Sequence, residues 1–81
     1  MTPEEFLKCI VKCIVKFSDD VKVEETSDEM GILLSLSIAK ADMGIIIGKS
    51  GVNIQAIKKI MRLYGFQNDS VISIRVNEPK E

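Results

Sequence analysis

Apolar residues recur along the chain at two different spacings, and the change of spacing marks the predicted elements. From residue 3 to about residue 17 the spacing is three or four, which predicts an amphipathic helix. Thr2 is expected to cap this helix, with Pro3 at its first position and Glu5 completing a capping box. The stripe predicted to face the core comprises Phe6, Cys9, Ile10, Cys13, Ile14 and Phe17. The apolar sector is widened by Leu7, Val11 and Val15, and the opposite face carries Lys8, Lys12 and Lys16.

Three later segments alternate apolar and polar residues with a period of two, as strands do. Residues 21–26 predict a short edge strand, and residues 32–39 predict a stronger one. The polar turn at 27–31 predicts that these two strands pair as an antiparallel hairpin. Residues 71–76 predict the last strand.

Between the second and third strands the pattern predicts two helices joined by a tight turn. Asp42 is expected to cap a short helix over residues 43–47. A second helix continues to about Tyr64 and stops at Gly65. Its predicted core stripe comprises Ile54, Ile57, Ile60, Met61 and Tyr64. A helical crossover of this kind places the flanking strands parallel.

The resulting order α-β-β-α-α-β predicts an α+β fold, with a three-stranded mixed sheet covered on one face by three helices. A chain of 81 residues allows one domain with one small core, which we expect to span residues 1–81 and to end in a polar tail at 77–81. The chain opens without the basic segment of a signal peptide, and no apolar run approaches the length of a membrane span. We therefore expect a cytoplasmic protein with no membrane partner.

Charge is distributed unevenly, although the formal net charge is only −1. Residues 40–64 carry five basic residues and one acidic residue, whereas residues 17–31 carry six acidic residues and one basic residue. We therefore expect one basic side and one acidic side on the surface.

The turn Gly48-Lys49-Ser50-Gly51, named the GxxG turn below, is the candidate binding site. Its glycines let backbone N–H groups approach a phosphate, and the helix that follows adds its positive N-terminal end. Apolar residues expected to wall a groove for unpaired bases are Ile46, Ile47 and Ile54, with Leu36 or Ile38 from a strand. Basic residues expected to hold a nucleic-acid backbone farther along are Lys58, Lys59 and Arg62. The alternative is that the glycines only permit a tight helix–helix turn.

Nucleotide hydrolysis and metal chemistry are not expected. Gly48-Lys49-Ser50 matches the end of a P-loop, but Met43 stands where the first glycine of that motif belongs. The chain contains no His, and Cys9 and Cys13 alone make a poor metal site, so no metal and no cofactor are predicted. We expect both cysteines to be small, buried or half-buried apolar residues. With no His in the chain and no evident base for either Cys, nucleophilic catalysis lacks its usual parts, and an enzyme is not expected.

Nine residues around the GxxG turn carry a resemblance to a known family. The segment from Ile46 to Ile54, read as Ile-Ile-Gly-Lys-Ser-Gly-Val-Asn-Ile, is similar to the pattern of the KH domain. The additional helix and strand on the N-terminal side resemble the type II, prokaryotic arrangement. The segment from Asp42 to Gly51 is similar to one found in small stand-alone bacterial KH proteins.

The resemblance implies single-stranded RNA binding in a cytoplasmic post-transcriptional regulator or RNA chaperone, with the GxxG turn clamping about four nucleotides. It assigns Gly48, Lys49, Ser50 and Gly51 to the phosphate clamp, and Ile46, Ile47 and Ile54 to the groove or its floor. It also implies self-association or pairing with a larger Jag-type KH protein. The mild acidity of the chain predicts weak, salt-sensitive binding. The alternative function is a protein-interaction or dimerisation module that uses the same turn or the N-terminal helix.

Overall fold

Three helices pack on one face of a three-stranded sheet in the computed structural model, which describes residues 2–77. The elements are α1 (Pro3–Lys12), β1 (Lys22–Asp28), β2 (Gly31–Ser37), α2 (Met43–Ile47), α3 (Val52–Gln67) and β3 (Ile72–Val76). The strand order is β1-β2-β3, with an antiparallel first pair and a parallel second pair. The predicted order of elements and the mixed sheet are confirmed. From residue 78 onward, the predicted polar tail lies outside the described residues.

The core lies between the helices and the central strand β2. Leu34 and Leu36 of β2 are fully buried, since both edges of this strand are paired and one face is covered. The fully buried side chains that share this core with them are Leu7 and Val11 of α1, Ile46 of α2 and Met61 of α3. Each such burial stabilises the fold by about 1.5–3 kcal/mol. Both helices that flank the GxxG turn are therefore anchored in the same core.

The first helix begins as predicted but ends earlier and presents a different face. Its capping box is present, with the backbone N–H of Glu5 donating to the Thr2 hydroxyl at 3.1 Å. The helix ends at Lys12 rather than near Phe17. Its buried residues are Leu7 and Val11, and most of the predicted stripe is exposed: Cys9, Cys13, Ile14 and Phe17. The predicted core-facing stripe was wrong. Apolar residues surround much of this helix, so their spacing alone does not show which of two adjacent faces is buried.

Asp42 joins two segments instead of capping α2. Within the part of the chain that the structure describes, its side chain makes no capping hydrogen bond to α2. Its carboxylate is buried, at 3% exposure, and accepts the backbone N–H groups of Lys16 at 3.0 Å and Phe17 at 2.9 Å. These bonds explain the early end of α1, because the chain that follows it is held at Asp42.

Gly65 lies inside α3 instead of stopping it. The helix continues to Gln67, and a Cβ at Gly65 would lie 2.6 Å from the carbonyl oxygen of Ser70. The glycine therefore allows the loop before β3 to pass close to the helix. Ile60, predicted to face the core, is 44% exposed, whereas Tyr64 stacks on Phe6 of α1 with ring centroids 4.7 Å apart.

Candidate nucleic-acid interface

The GxxG turn connects α2 to α3 through an unusual run of backbone conformations. Gly48 ends α2 with φ 75° and ψ 177°, a region that is essentially restricted to glycine. Ser50 and Gly51 also have positive φ, at 58° and 79°. The side chains of Lys49 and Ser50 are exposed. The turn therefore projects a lysine and a hydroxyl into solvent between two anchored helices.

Asn53 braces the turn from the start of α3. Its side-chain amide donates to the carbonyl oxygen of Ile45 at 2.7 Å, which ties the first turn of α3 to α2. The same side chain fills the space beside Gly48, where an added Cβ would lie 2.6 Å from its Cγ. Asn53 was not predicted as a site residue, because nothing in the local pattern shows that its side chain reaches back across the turn.

The start of α3 offers backbone donors to a ligand. The helix has 16 residues, and among the described residues no side chain caps its N-terminus. The first N–H groups of a helix lack acceptors within it, and the helix dipole places partial positive charge there. Gly51 precedes this end, and apart from its own and the adjacent residues no atom of the described chain lies within 4 Å of the position that its Cβ would occupy. An anion can therefore approach the backbone closely at this point.

The predicted groove residues lie at different depths. Ile47 is half-buried beside the GxxG turn. The remaining four are buried in the core: Leu36, Ile38, Ile46 and Ile54. Leu36 belongs to the central strand. Because these four side chains are buried, they can form the floor of a groove but not its exposed walls.

The strand that lies beside α3 at the surface is β3, which was not predicted to take part. Among the described residues β3 pairs only with β2, so its other edge is unpaired. A shallow depression runs between this strand and α3, lined by Lys58, Arg62, Ile72, Ser73 and Ile74. The sequence pattern predicts how these strands pair, but it does not show that α3 packs beside β3.

The three predicted basic residues of α3 are exposed but divide between two surfaces. Lys58 and Arg62 line the depression beside β3. Lys59 instead borders a second depression with Arg62, Leu63 and Phe66. Arg62 thus lies between the two surfaces.

The charges of the sequence segregate in space. The basic residues of segment 40–64 are exposed, whereas its one acid, Asp42, is buried. The acidic residues of segment 17–31 are exposed on β1 and its adjoining turns, and β1 is the sheet edge opposite β3. The α3 side of the molecule is therefore positive, although the net charge of the chain is −1.

Comparison with known proteins agrees with this geometry. The sequence model of a family described as KhpA/KhpB, KH domain, matches residues 4–77. The chain belongs to the KhpA/KhpB KH-domain family. The KH-domain family that we predicted from the segment around the GxxG turn is therefore confirmed.

Relatives in the KhpA/KhpB family match this chain over nearly its whole length. The RNA-binding protein KhpA of Chlamydia pneumoniae is 35% identical over 77 residues, covering 95% of this chain and 99% of the relative. The protein of the same name from Listeria monocytogenes serovar 1/2a is 33% identical over 75 residues, covering 93% and 99%. That from Clostridium acetobutylicum is 30% identical over 73 residues, covering 90% and 97%.

Two further observations bear on this KhpA/KhpB family member. Within residues 2–77, no helix has the length and apolar character needed to cross a membrane. In the same part of the chain, no group of three or more His, Cys, Asp or Glu side chains is placed to hold a metal ion.

Proposed function

We propose that the protein binds single-stranded RNA in the cytoplasm, without catalysis, by holding its phosphates at the GxxG turn. The observation that carries this proposal is the turn itself. Two glycines with positive φ place open backbone and the exposed Lys49 at the start of a 16-residue helix. The names of the KhpA relatives, which call them RNA-binding proteins, support the same function.

The strand would continue from the turn along α3 toward Arg62. At 1.5 Å of rise per residue, Lys58 lies about 10 Å and Arg62 about 17 Å beyond Gly51. Both side chains line the depression beside β3, so their charges are placed to meet successive phosphates. A path of this length suits the roughly four nucleotides that a KH domain clamps.

Bases would then lie against the apolar surface between α3 and β3. Ile47 and Ile74 are half-buried and offer surface for stacking or contact. The buried residues beneath form its floor: Leu36, Ile38, Ile46 and Ile54. A small domain with one such groove suits a post-transcriptional regulator or an RNA chaperone, and its modest charge predicts weak, salt-sensitive binding.

The proposal is tested by reversing charge at the turn. Fluorescence anisotropy with a labelled, unstructured single-stranded RNA would compare the parent chain with the double variant Lys49→Asp/Ser50→Asp. The local charge changes by three units, and each unit is worth about 1 kcal/mol at contact distance in water, so affinity should fall on the order of 100-fold. Asp tolerates the left-handed backbone of residue 50, so the turn should keep its shape.

A matched control separates a local effect from a change in net charge. The variant Lys22→Asp/Ser27→Asp changes the charge by the same three units on β1, the opposite edge of the sheet. Its affinity for the RNA should stay within about threefold of the parent, as expected for charges screened over more than a Debye length. Equal losses in the two variants would contradict a clamp at the turn.

An exposed apolar surface on α3 supports a second function, self-association. The outer side of α3, opposite its buried residues, exposes Val52 (63%), Leu63 (62%) and Phe66 (77%). Leu63 and Phe66 line one depression with Lys59 and Arg62. Exposed apolar side chains aligned on one helix mark protein contact surfaces. We propose that this stripe, rather than the GxxG turn or α1, contacts a second copy or the KH domain of a larger Jag-type protein.

Light scattering of the purified chain tests this contact. The parent should show a concentration-dependent dimer, and Leu63→Glu, which buries a charge in the contact, should be monomeric. Leu33→Glu is a control on the open face of the sheet, since Leu33 is also partly exposed. A monomeric parent at all concentrations, with an added Jag-type KH protein failing to bind, would overturn the proposal.

A further inference from the structure

Two thiols lie on the outer face of α1, in a depression that shares no lining residue with the one beside β3 that the RNA proposal uses. Cys9 and Cys13 are both free and exposed, contrary to the expectation that they are buried or half-buried. Together with Glu5, Lys8 and Lys12 they line one shallow depression on the helix surface. Exposed thiols do not contribute to the core, so packing does not account for this pair.

The spacing of the two thiols is that of a helical turn. Cys13 follows the last residue of α1 but keeps helical backbone angles, with φ −73° and ψ −17°. Its N–H donates to the carbonyl oxygen of Cys9 at 3.3 Å. Side chains four residues apart on a helix have Cβ atoms about 5–6 Å apart and lie on the same face.

This spacing suits a bridging ion better than a direct sulfur–sulfur bond. A disulfide needs Cβ atoms about 3.5–4.5 Å apart, which the last turn of α1 would have to distort to provide. An ion held between two sulfurs adds one atom to the bridge and lengthens it. The helical geometry can then remain intact.

The available ligands select the ion. The chain contains no His, and among the described residues no group of three His, Cys, Asp or Glu side chains is placed to hold a metal. The carboxylate of Glu5, which also lines the depression, accepts a hydrogen bond from the Thr2 hydroxyl at 3.1 Å instead. A structural Zn²⁺ site needs four ligands, so two thiols leave it incomplete. Cu(I) is selected by soft thiolates and accepts two of them. We propose that Cys9 and Cys13 bind one Cu(I) ion as a bis-thiolate.

Charge and protons balance in this step. Each thiol releases one proton to solvent as its sulfur forms a bond to copper, and the ion remains Cu(I), so that no oxidant or reductant is consumed. The product carries one negative charge. The ammonium groups of Lys8 and Lys12, which line the same depression, offset that charge.

An anaerobic competition assay tests the site on the full, reduced chain. Cu(I) would be supplied as its complex with bicinchoninate, and its transfer to the protein followed by the loss of absorbance of that complex. The parent should take one Cu(I) per chain. Cys9→Ser and Cys13→Ser should each bind on the order of 100-fold more weakly, because a second tethered ligand acts at a high effective concentration.

A variant with the same number of thiols serves as the matched control. Cys13→Ser/Ile14→Cys moves one thiol by a single position and off the common face, so it should lose affinity as Cys13→Ser does. Circular dichroism should be unchanged in all these variants, since positions 9, 13 and 14 are exposed. The proposal is overturned if either single variant binds like the parent, if the moved thiol retains full affinity, or if one ion is taken up per two chains.

Discussion

Asn53 donates its side-chain amide to the carbonyl oxygen of Ile45, 2.7 Å away, and so spans the GxxG turn from one helix to the other. The same side chain lies against Gly48, which leaves no room for a Cβ there. The turn is therefore shaped by a side chain outside it as well as by its two glycines.

The two glycines of the turn should differ in their tolerance of alanine. At Gly48 alanine meets a glycine-only backbone region and the Asn53 side chain, so Gly48→Ala should cost about 3 kcal/mol of unfolding free energy or more. At Gly51 there is open space and a left-handed backbone, so Gly51→Ala should cost about 1–2 kcal/mol. Urea denaturation measures both, and equal costs would show that Asn53 does not crowd Gly48.

Removing the brace should loosen the turn without unfolding the protein. Asn53→Ala deletes an exposed hydrogen bond, so its cost in unfolding free energy should be about 1 kcal/mol. In the double variant Gly48→Ala/Asn53→Ala the overlap at Gly48 is relieved, and the combined cost should be smaller than the sum of the single costs. Strict additivity in denaturant unfolding would contradict the contact.

Asp42 should be among the least replaceable polar residues in the described chain. Asp42→Ala leaves the N–H groups of Lys16 and Phe17 without their acceptor, and hydrogen bonds to a charged group contribute about 1.5–3 kcal/mol each. We expect a loss of about 3 kcal/mol or more in urea unfolding. The exposed Asp19 is the control, and Asp19→Ala should change stability by less than about 0.5 kcal/mol.

Salt dependence should separate the basic residues that meet phosphate from those that do not. If Lys58 and Arg62 each contact one phosphate, replacing either with Ala should reduce the slope of log K against log salt by about 0.7. Lys22→Ala, on the far edge of the sheet, should leave the slope unchanged. An unchanged slope in Lys58→Ala and Arg62→Ala would exclude both from the RNA path.

The parts of the fold that sequence could predict are those decided by neighbouring residues. The bounds of α2 agree with the prediction because Gly48 must end that helix, and the capping box at Thr2 and Glu5 follows from spacing. The alternation in residues 32–39 placed Leu34 and Leu36 inward, where they are fully buried. The location of the candidate site could also be predicted, because the GxxG turn is made of four consecutive residues.

The rest depends on contacts between distant segments. The face of α1 that is buried is chosen by β1 and α3, not by its own apolar pattern, which surrounds much of the helix. The role of Asp42 arises from donors 25 and 26 residues earlier in the chain. The part of β3 in the candidate groove follows from the packing of α3 beside that strand, a contact that the period of a single strand does not contain.

The two hydrogen bonds between Asp42 and the segment after α1 couple the local unfolding of these two parts of the chain. Its carboxylate belongs to the junction that leads into the GxxG turn, whereas its two donors belong to the N-terminal segment. Detaching that segment would remove the two backbone donors that this carboxylate has within residues 2–77, and hydrogen bonds to a charged group are costly to lose. In native-state hydrogen exchange, the amides of Lys16 and Phe17 should therefore exchange in the same cooperative unit as α2, and a chain shortened from its N-terminus should not retain a folded core.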